Sequence, residues 1–425
     1  MLGAVGAGAV VLLALVALYS LHPLGLHGRF PVAQIIAFKG VLAFGLLAIG
    51  LLLGGSALAV LLLGSRRDRA RATVGVGEAD DSDDSDGTDG RVVGADDESV
   101  GGTRVGRNGA VSPDRASDQD PDQDQDAVPP RFPIRRRASA VVLAGAIAIA
   151  FAGSAHAVSL LDRGMRSGEV TASGEAATSS DFTVMTVNMA RSRADAQAVA
   201  DLAVRTGSDV LAMPETTVEL AGRVRDLIEA SAGGQFEVYS NGEGPTASTS
   251  MIVSADLGPY EQVAMGPTGG FGRVHLVPIG DDGRQPVLVA AHPPPPVRAN
   301  MTEWRAENIG IVGLCQRATR PTVIAGDLNM TVDHSVLESI GDQMSVCRDA
   351  GIDARIGGVG TWPSDVPAWA GTVIDHVLVT GGLRGDVGEV ADIPGSDHRA
   401  VVVSLRLNGT GDVEAERRSR LIDEG

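Results

Sequence analysis

Lysine, cysteine and positive charge are what this sequence has least of. Lys39 is the only lysine among 425 residues, and the formal net charge at pH 7 is −18. A field of that sign repels polyanions, which argues against a general nucleic-acid-binding surface. The acidity is not confined to a linker. From residue 181 to 407 there are 28 acids against 16 arginines, about −12 in total. Those arginines are scattered, and no Lys/Arg-rich insertion suited to gripping duplex DNA interrupts the region. Cysteine occurs twice, as Cys315 and Cys347. Two thiols are too few for a disulfide scaffold and lack the spacing of a zinc site.

Apolar residues, by contrast, are abundant and unevenly spread. Three segments approach the roughly 20 apolar residues that span a bilayer. They run from about residue 3 to 21, from 41 to 64 and from 138 to 161. The first has no basic leader and is closely followed by a second apolar segment, which favours a retained span over a cleaved signal. Arg66, Arg67, Arg69 and Arg71 follow the second segment, and Arg131, Arg135, Arg136 and Arg137 precede the third. Both clusters bracket one connection, so the positive-inside rule places residues 65–137 in the cytoplasm. The N-terminus is then cytoplasmic, and everything after about residue 162 is extracytoplasmic. The expected protein is multi-pass in the cell membrane.

The connection at 65–137 is rich in Asp, Gly, Ser and Gln and is expected to be a disordered acidic linker. Its acidic run ending at Gly87 is not a calcium loop, because Ser82 and Val93 stand where the first and twelfth ligands belong. A short polar tether at 162–180 leads into a domain at 181–408, and a charged, disordered tail fills 409–425. Outside the membrane Cys315 and Cys347 can pair, closing a loop of about 31 residues. Two buried free thiols are the alternative.

From residue 181 the pattern becomes short β-rich runs alternating with helical ones. Strands are expected at about 182–187, 210–213, 236–239, 249–253, 274–278, 287–291, 322–325, 373–379 and 400–407. Helices are expected at 194–205, with Ser192 as its cap, at 217–232 and 302–317, and starting at 335–340. Such a mixture implies an α/β chain with two packed sheets and helices outside. Polar groups fall repeatedly at the ends of the apolar runs, where a rigid sheet can aim them. They are Asn188, Glu215, His292, Asp327 with Asn329, Asp375, and Asp397 with His398. Hard oxygen ligands beside imidazoles suit divalent-metal-assisted attack on a phosphate ester.

In order, the segments Thr-Val-Asn188, Pro-Glu215, Ala-His292-Pro, Gly-Asp327-Leu-Asn329, Ile-Asp375-His and Ser-Asp397-His398 resemble the endonuclease/exonuclease/phosphatase superfamily, which includes deoxyribonuclease I. Gly-Thr361-Trp362-Pro also looks like a family feature. The resemblance covers about 225 residues and implies a four-layer sandwich of two mixed β-sheets flanked by helices, here behind three transmembrane helices. It implies Glu215 as the main Mg²⁺ ligand (Mn²⁺ being an alternative), with Asp327 and Asp397 also at the metal. Asn188 would hydrogen-bond phosphate or a metal-bound water. Asp327 would orient or deprotonate the attacking water, with Asn329 beside it on the same side of an extended segment, holding a phosphoryl oxygen. His398 would be the general base or would stabilise the phosphate, its tautomer fixed by Asp375. His292 would stabilise the transition state or protonate the leaving oxygen, whereas His376 would be structural. The expected partners are the bilayer and a phosphate ester, whether a nucleic-acid fragment, a lipid head group or a soluble ester. A catalytically silent, membrane-tethered binding module of the same fold is the alternative.

Overall fold

The computed structural model describes residues 28–74, 132–167, 170, 182–264, 271–280, 285–334 and 347–407. The first apolar segment, most of the acidic connection, the helix expected from 335 to 340 and the tail lie outside the described residues.

Strand β1 (Phe182–Thr186) shows how the sheets arise. Its neighbours in sequence alternate between two cores: Phe182 and Val184 face one, Met185 and Val187 the other. Burial on both faces explains why the strand reads as a continuous apolar run. The same holds for β2 (Val210–Pro214), β8 (Thr322–Asp327) and β10 (Asp375–Thr380). The remaining strands are β3 (Phe236–Asn241), β4 (Thr249–Ser254), β5 (Tyr260–Gln262), β6 (Val274–Pro278), β7 (Val287–Ala290), β9 (Arg348–Asp349), β11 (Leu383–Asp392) and β12 (Arg399–Leu407).

They form two six-stranded sheets, ordered β11-β12-β1-β2-β4-β3 and β5-β6-β7-β8-β10-β9. Both are mixed. β1 pairs parallel with β2 and antiparallel with β12; β8 pairs parallel with β7 and antiparallel with β10. One core lies between the sheets, joining Val184, Val210 and Val403 to Leu288, Val323 and Val377. A second lies under α4 (Ala196–Thr206) and α5 (Val218–Ala232), a third under α7 (Met301–Arg317) around the fully buried Trp304; the short α6 (Gly244–Ala247) joins β3 to β4. The result is the expected four-layer sandwich.

The helix caps are set locally. Asp195, not Ser192, caps α4 by accepting from the backbone N–H of Gln197 and Ala198, and Gly207 closes it at φ +62°. Ser192 lies too early and is engaged elsewhere. Cys315 and Cys347 are joined in a disulfide, with their Cα atoms 5.3 Å apart. It ties α7 to the chain entering β9.

Ahead of the sandwich stand α1 (Val32–Ala37), α2 (Lys39–Val74) and α3 (Phe132–Arg163). Two stretches, Lys39–Arg66 and Ala138–Arg163, are long and apolar enough to cross a membrane. Their helices continue beyond the expected limits of 41–64 and 138–161. They pack closely through small residues: a Cβ on Gly50 would come within 2.7 Å of Ala150, and one on Gly153 within 2.8 Å of Ala43. Outward-facing Leu51, Leu52 and Phe151 are each at least 66% exposed, as lipid-facing side chains would be. The described part of the expected tether is not a free spacer. Gly357 and Gly358 donate to the carbonyls of Arg163 and Gly164, and the Val170 N–H donates to Glu389, so this stretch lies along the sandwich.

Candidate active site

The two sheets present equivalent ends to one cleft. In the first, Asn188 follows β1, Glu215 follows the parallel β2, and His398 precedes the antiparallel β12. In the second, Asp327 ends β8, His292 follows the parallel β7, and Asp375 opens the antiparallel β10. Each sheet thus contributes three polar groups from one three-strand pattern, and the groups meet where the sheets face each other.

The side chains converge closely. The Asn188 amide donates to Asp327 Oδ2 at 3.0 Å and to Glu215 Oε1 at 3.3 Å, bridging acids from opposite sheets. His292 Nε2 lies 3.6 Å from Asp327 Oδ2 and 3.9 Å from Glu215 Oε1. His398 Nδ1 is 2.9 Å from Asp375 Oδ2, and its Nε2 is 3.7 Å from Asp327 Oδ2. Asp327 and Asp375 stand directly opposite across the β8–β10 ladder, an unfavourable pairing of like charges unless a cation intervenes. Donor atoms of Asp327, Asp375 and His398 all lie within 4.8 Å of one another.

Backbone conformation holds the site. Glu215 and Asn329 have φ of +56° and +48°, and Ala190, Arg191 and Ser192 are also left-handed. Such conformations cost free energy and gather at functional sites. Ser192 Oγ links two of these turns, donating to the Glu215 carbonyl and accepting from the Thr217 N–H. Ser396 Oγ donates to the Asn188 carbonyl at 2.6 Å and accepts from the His398 N–H. Thr361 Oγ1 accepts from the backbone N–H of Ile374 and Asp375. Arg399, from β12, donates to the carbonyls of Gly360, Ser364 and Val366 and so fixes the loop carrying Trp362.

Burial sets the electrostatics. His398 would be made less basic by burial, but the carboxylates of Asp375 and Asp327 prevail and push it up to about 9. His292 goes the other way: burial lowers it, and Asp327 only partly compensates. Burial raises Asp327, against the pull of His398. Asp375 Oδ1 and His292 Nδ1 are buried and have no hydrogen-bond partner among the described residues. Clustered oxygen donors, a buried acid of raised pKa and an unpartnered carboxylate oxygen fit a hard divalent cation. Glu215, Asp327 and Asp375 are the residues that could hold it.

Three expectations change in detail. Asn329 does not continue an extended segment from Asp327. The chain turns there: the Asn329 N–H donates to Asp327 Oδ1, and its amide donates to the Pro293 carbonyl. Asn188 has both amide ends engaged by the protein, since its Oδ1 accepts from the Ala190 N–H. Asp397 lines the same cleft, and its charge adds to those raising His398. It is exposed at the cleft mouth, with Oδ2 3.3 Å from Trp362 Nε1. His376 is buried on the other face of β10, bonded to Asp349 and the Met330 carbonyl. The cleft holds about 450 Å³ and is walled by Phe271, Pro295, Trp362 and Ile374 as well as by the polar groups.

Residues 185–398 match the Endonuclease/Exonuclease/phosphatase family, half of the whole chain. The chain belongs to that family, whose members are metal-dependent hydrolases, and it is an enzyme acting on phosphoester bonds. Solved structures similar to it include an endonuclease/exonuclease/phosphatase from Beutenbergia cavernae (19% identity, 54% of this chain and 72% of that one, TM-score 0.42). Another is a family protein from Bacteroides vulgatus (18%, 53% and 99%, TM-score 0.40). A third is a mannosyl-6-phosphatase from Bacteroides thetaiotaomicron (15%, 53% and 99%, TM-score 0.41). No curated protein matches the sequence.

Proposed function

We propose that the chain is a membrane-anchored, extracytoplasmic, Mg²⁺-dependent phosphodiesterase acting by in-line attack of water on phosphorus. The observation that carries this reading is the convergence of Glu215, Asp327, Asp375, His292 and His398 from two sheets onto one cleft. Glu215 and Asp327 would hold the cation, with Asp375 behind them and Asn188 fixing their separation. Mg²⁺, when bound, would polarise a phosphoryl oxygen and offset its charge.

The protein groups divide the remaining work. Asp327, buried between His292 and His398, would orient the attacking water and take its proton. His398, held cationic by Asp375, would donate from Nε2 to the phosphoryl oxygens as charge builds on them. Of the two roles expected for His398, the raised proton affinity favours this one over that of a base. His292 is held neutral by burial and would donate a hydrogen bond to the phosphate or the leaving oxygen. Asn329 would contribute a further polar contact from its turn. Asp397, on Trp362, is a cleft-mouth residue in this reading, not a primary ligand.

The arginine clusters flanking residues 65–137 favour a cytoplasmic connection between two spans and a catalytic domain outside. The test is a panel of phosphodiesters and phosphomonoesters offered to the full chain with Mg²⁺, then with EDTA. Diester hydrolysis that stops on chelation and in His398→Ala supports the reading. Hydrolysis unaffected by both would overturn it.

A further inference from the structure

The two long apolar helices meet, one end of each, on one acid beside the cleft. Asp333, six residues after Asp327, receives Lys39 Nζ at 2.6 Å and both terminal nitrogens of Arg163 at 2.6 Å. Lys39 opens the first span and Arg163 closes the second. The next residue, His334, bonds to the Ala33 carbonyl through Nε2 at 3.0 Å. Ala33 itself is fully buried in the core under α7. Gln34 donates to the Pro296 carbonyl. Gly40 lies so close to the Trp369 carbonyl that a Cβ would sit 1.8 Å from its oxygen, so the contact requires glycine. The anchor is thus seated in the sandwich by charge, hydrogen bonds and packing.

The seat completes the active cleft. Gln34, Ala37 and Phe38 line the same cleft as Glu215, Asp327, His292 and His398. The Phe38 ring is 6.1 Å from Trp362, which is 6.4 Å from His398. Phe38 immediately precedes the first residue of the span, and Phe44, six residues further on, packs edge-on to Trp369 at 4.9 Å. With Lys39–Arg66 crossing the membrane as proposed above, chain continuity puts this wall at the membrane surface.

We propose that the anchor is part of the substrate site: Phe38 and its neighbours receive the apolar part of an amphiphilic phosphate ester resting in the outer bilayer surface, while its phosphate reaches His292 and His398. This assignment rests on the phosphoesterase reading and narrows its substrate to a lipid-borne ester. The domain's net negative charge and the apolar cleft wall oppose a polyanionic strand in the same place.

The test uses the full chain in phosphatidylcholine vesicles with Mg²⁺. Two probes share one reacting diester: 4-nitrophenyl hexadecyl phosphate in the vesicles and 4-nitrophenyl ethyl phosphate in solution. The expected result is a kcat/KM ratio of at least roughly a hundredfold in favour of the hexadecyl ester, the effect of burying a few methylenes. Sharing a membrane would itself raise that ratio, so variants must separate the two causes. Phe38→Ala should lower the ratio by roughly tenfold, and Phe38→Leu should restore most of it. A ratio near one in the wild type, or one unaltered by Phe38→Ala, would overturn the proposal and leave the phosphoesterase reading standing. Hydrolysis of neither ester would overturn both.

Discussion

Replacing Asp375 by Asn should change His398 more than any other group. The Asp375 carboxylate lies 2.9 Å from His398 Nδ1 and is the largest influence raising that imidazole, with Asp327 second. Together they overcome burial and move His398 from 6.5 to about 9. That shift corresponds to about 3 kcal/mol favouring the charged ring. Asparagine retains the shape but removes the charge, leaving burial opposed mainly by Asp327. The imidazole should then titrate at least about two units lower. The assay is a histidine NMR titration of the chelated chain, because a bound cation would itself lower His398. The sign in stability follows. A histidine raised on folding adds stability that is fully present below its unfolded pKa of about 6.5 and is lost as pH rises through about 9. Wild-type unfolding should therefore show this loss between those limits, and Asp375→Asn should not. Diester hydrolysis should fall by about two to four orders of magnitude, since the ring loses its charge and, once neutral, has no carboxylate at Nδ1 to fix its tautomer. An unmoved His398 titration in a folded variant would refute the coupling on which the site's electrostatics rest.

Other consequences lie away from the cleft. Asp209 accepts from the Thr183 N–H, yet burial raises its pKa to about 6. A carboxyl raised on folding is most favourable below its unfolded pKa and loses that advantage as pH rises through the folded one, so Asp209→Asn should stabilise the chain above pH 6. Allowing for its partial exposure, the gain should be about 1–2 kcal/mol at pH 8 and vanish near pH 4, as thermal unfolding at the two pH values would reveal. The Cys315–Cys347 bridge closes a separation of 32 residues. The double alanine variant should lose about 3–4 kcal/mol, and an unfolding midpoint unchanged from wild type would contradict that. Ile324 is fully buried in the middle of β8, packed toward α7. Its replacement by Ala should cost about 2–5 kcal/mol in denaturant unfolding, with no direct loss of a cleft contact.

Much of this fold is legible in local sequence. Strands buried on both faces, such as β2 and β8, are continuous apolar runs bounded by polar turns; Glu215 directly follows the first and Asp327 ends the second. β11 is not legible in that way. Its sequence, Leu-Arg-Gly-Asp-Val-Gly-Glu-Val-Ala-Asp, carries two glycines and four charges, and it forms only because β12 supplies a ladder with a bulge between Gly385 and Gly388. Tyr260–Gln262 and the two-residue β9 are too short to show a period. The polar groups of the site are visible because each follows or precedes an apolar run. Their supports are less so: Ser192, Ser396 and Arg399 act through backbone contacts between segments far apart in sequence. Ser192 looks like a helix cap until the distant turn at Glu215 is known. The docking of the two long apolar helices on the sandwich is likewise invisible in one dimension, since Lys39, Arg163 and Asp333 are separated by more than a hundred residues.

The most direct test of the central claim is calorimetric titration of the full chain with Mg²⁺, repeated with Glu215→Gln. A single cation shared by the Glu215 and Asp327 carboxylates predicts saturable binding to the wild type and an affinity at least roughly tenfold weaker in the variant. No binding to the folded wild type, or equal affinity in both proteins, would contradict it.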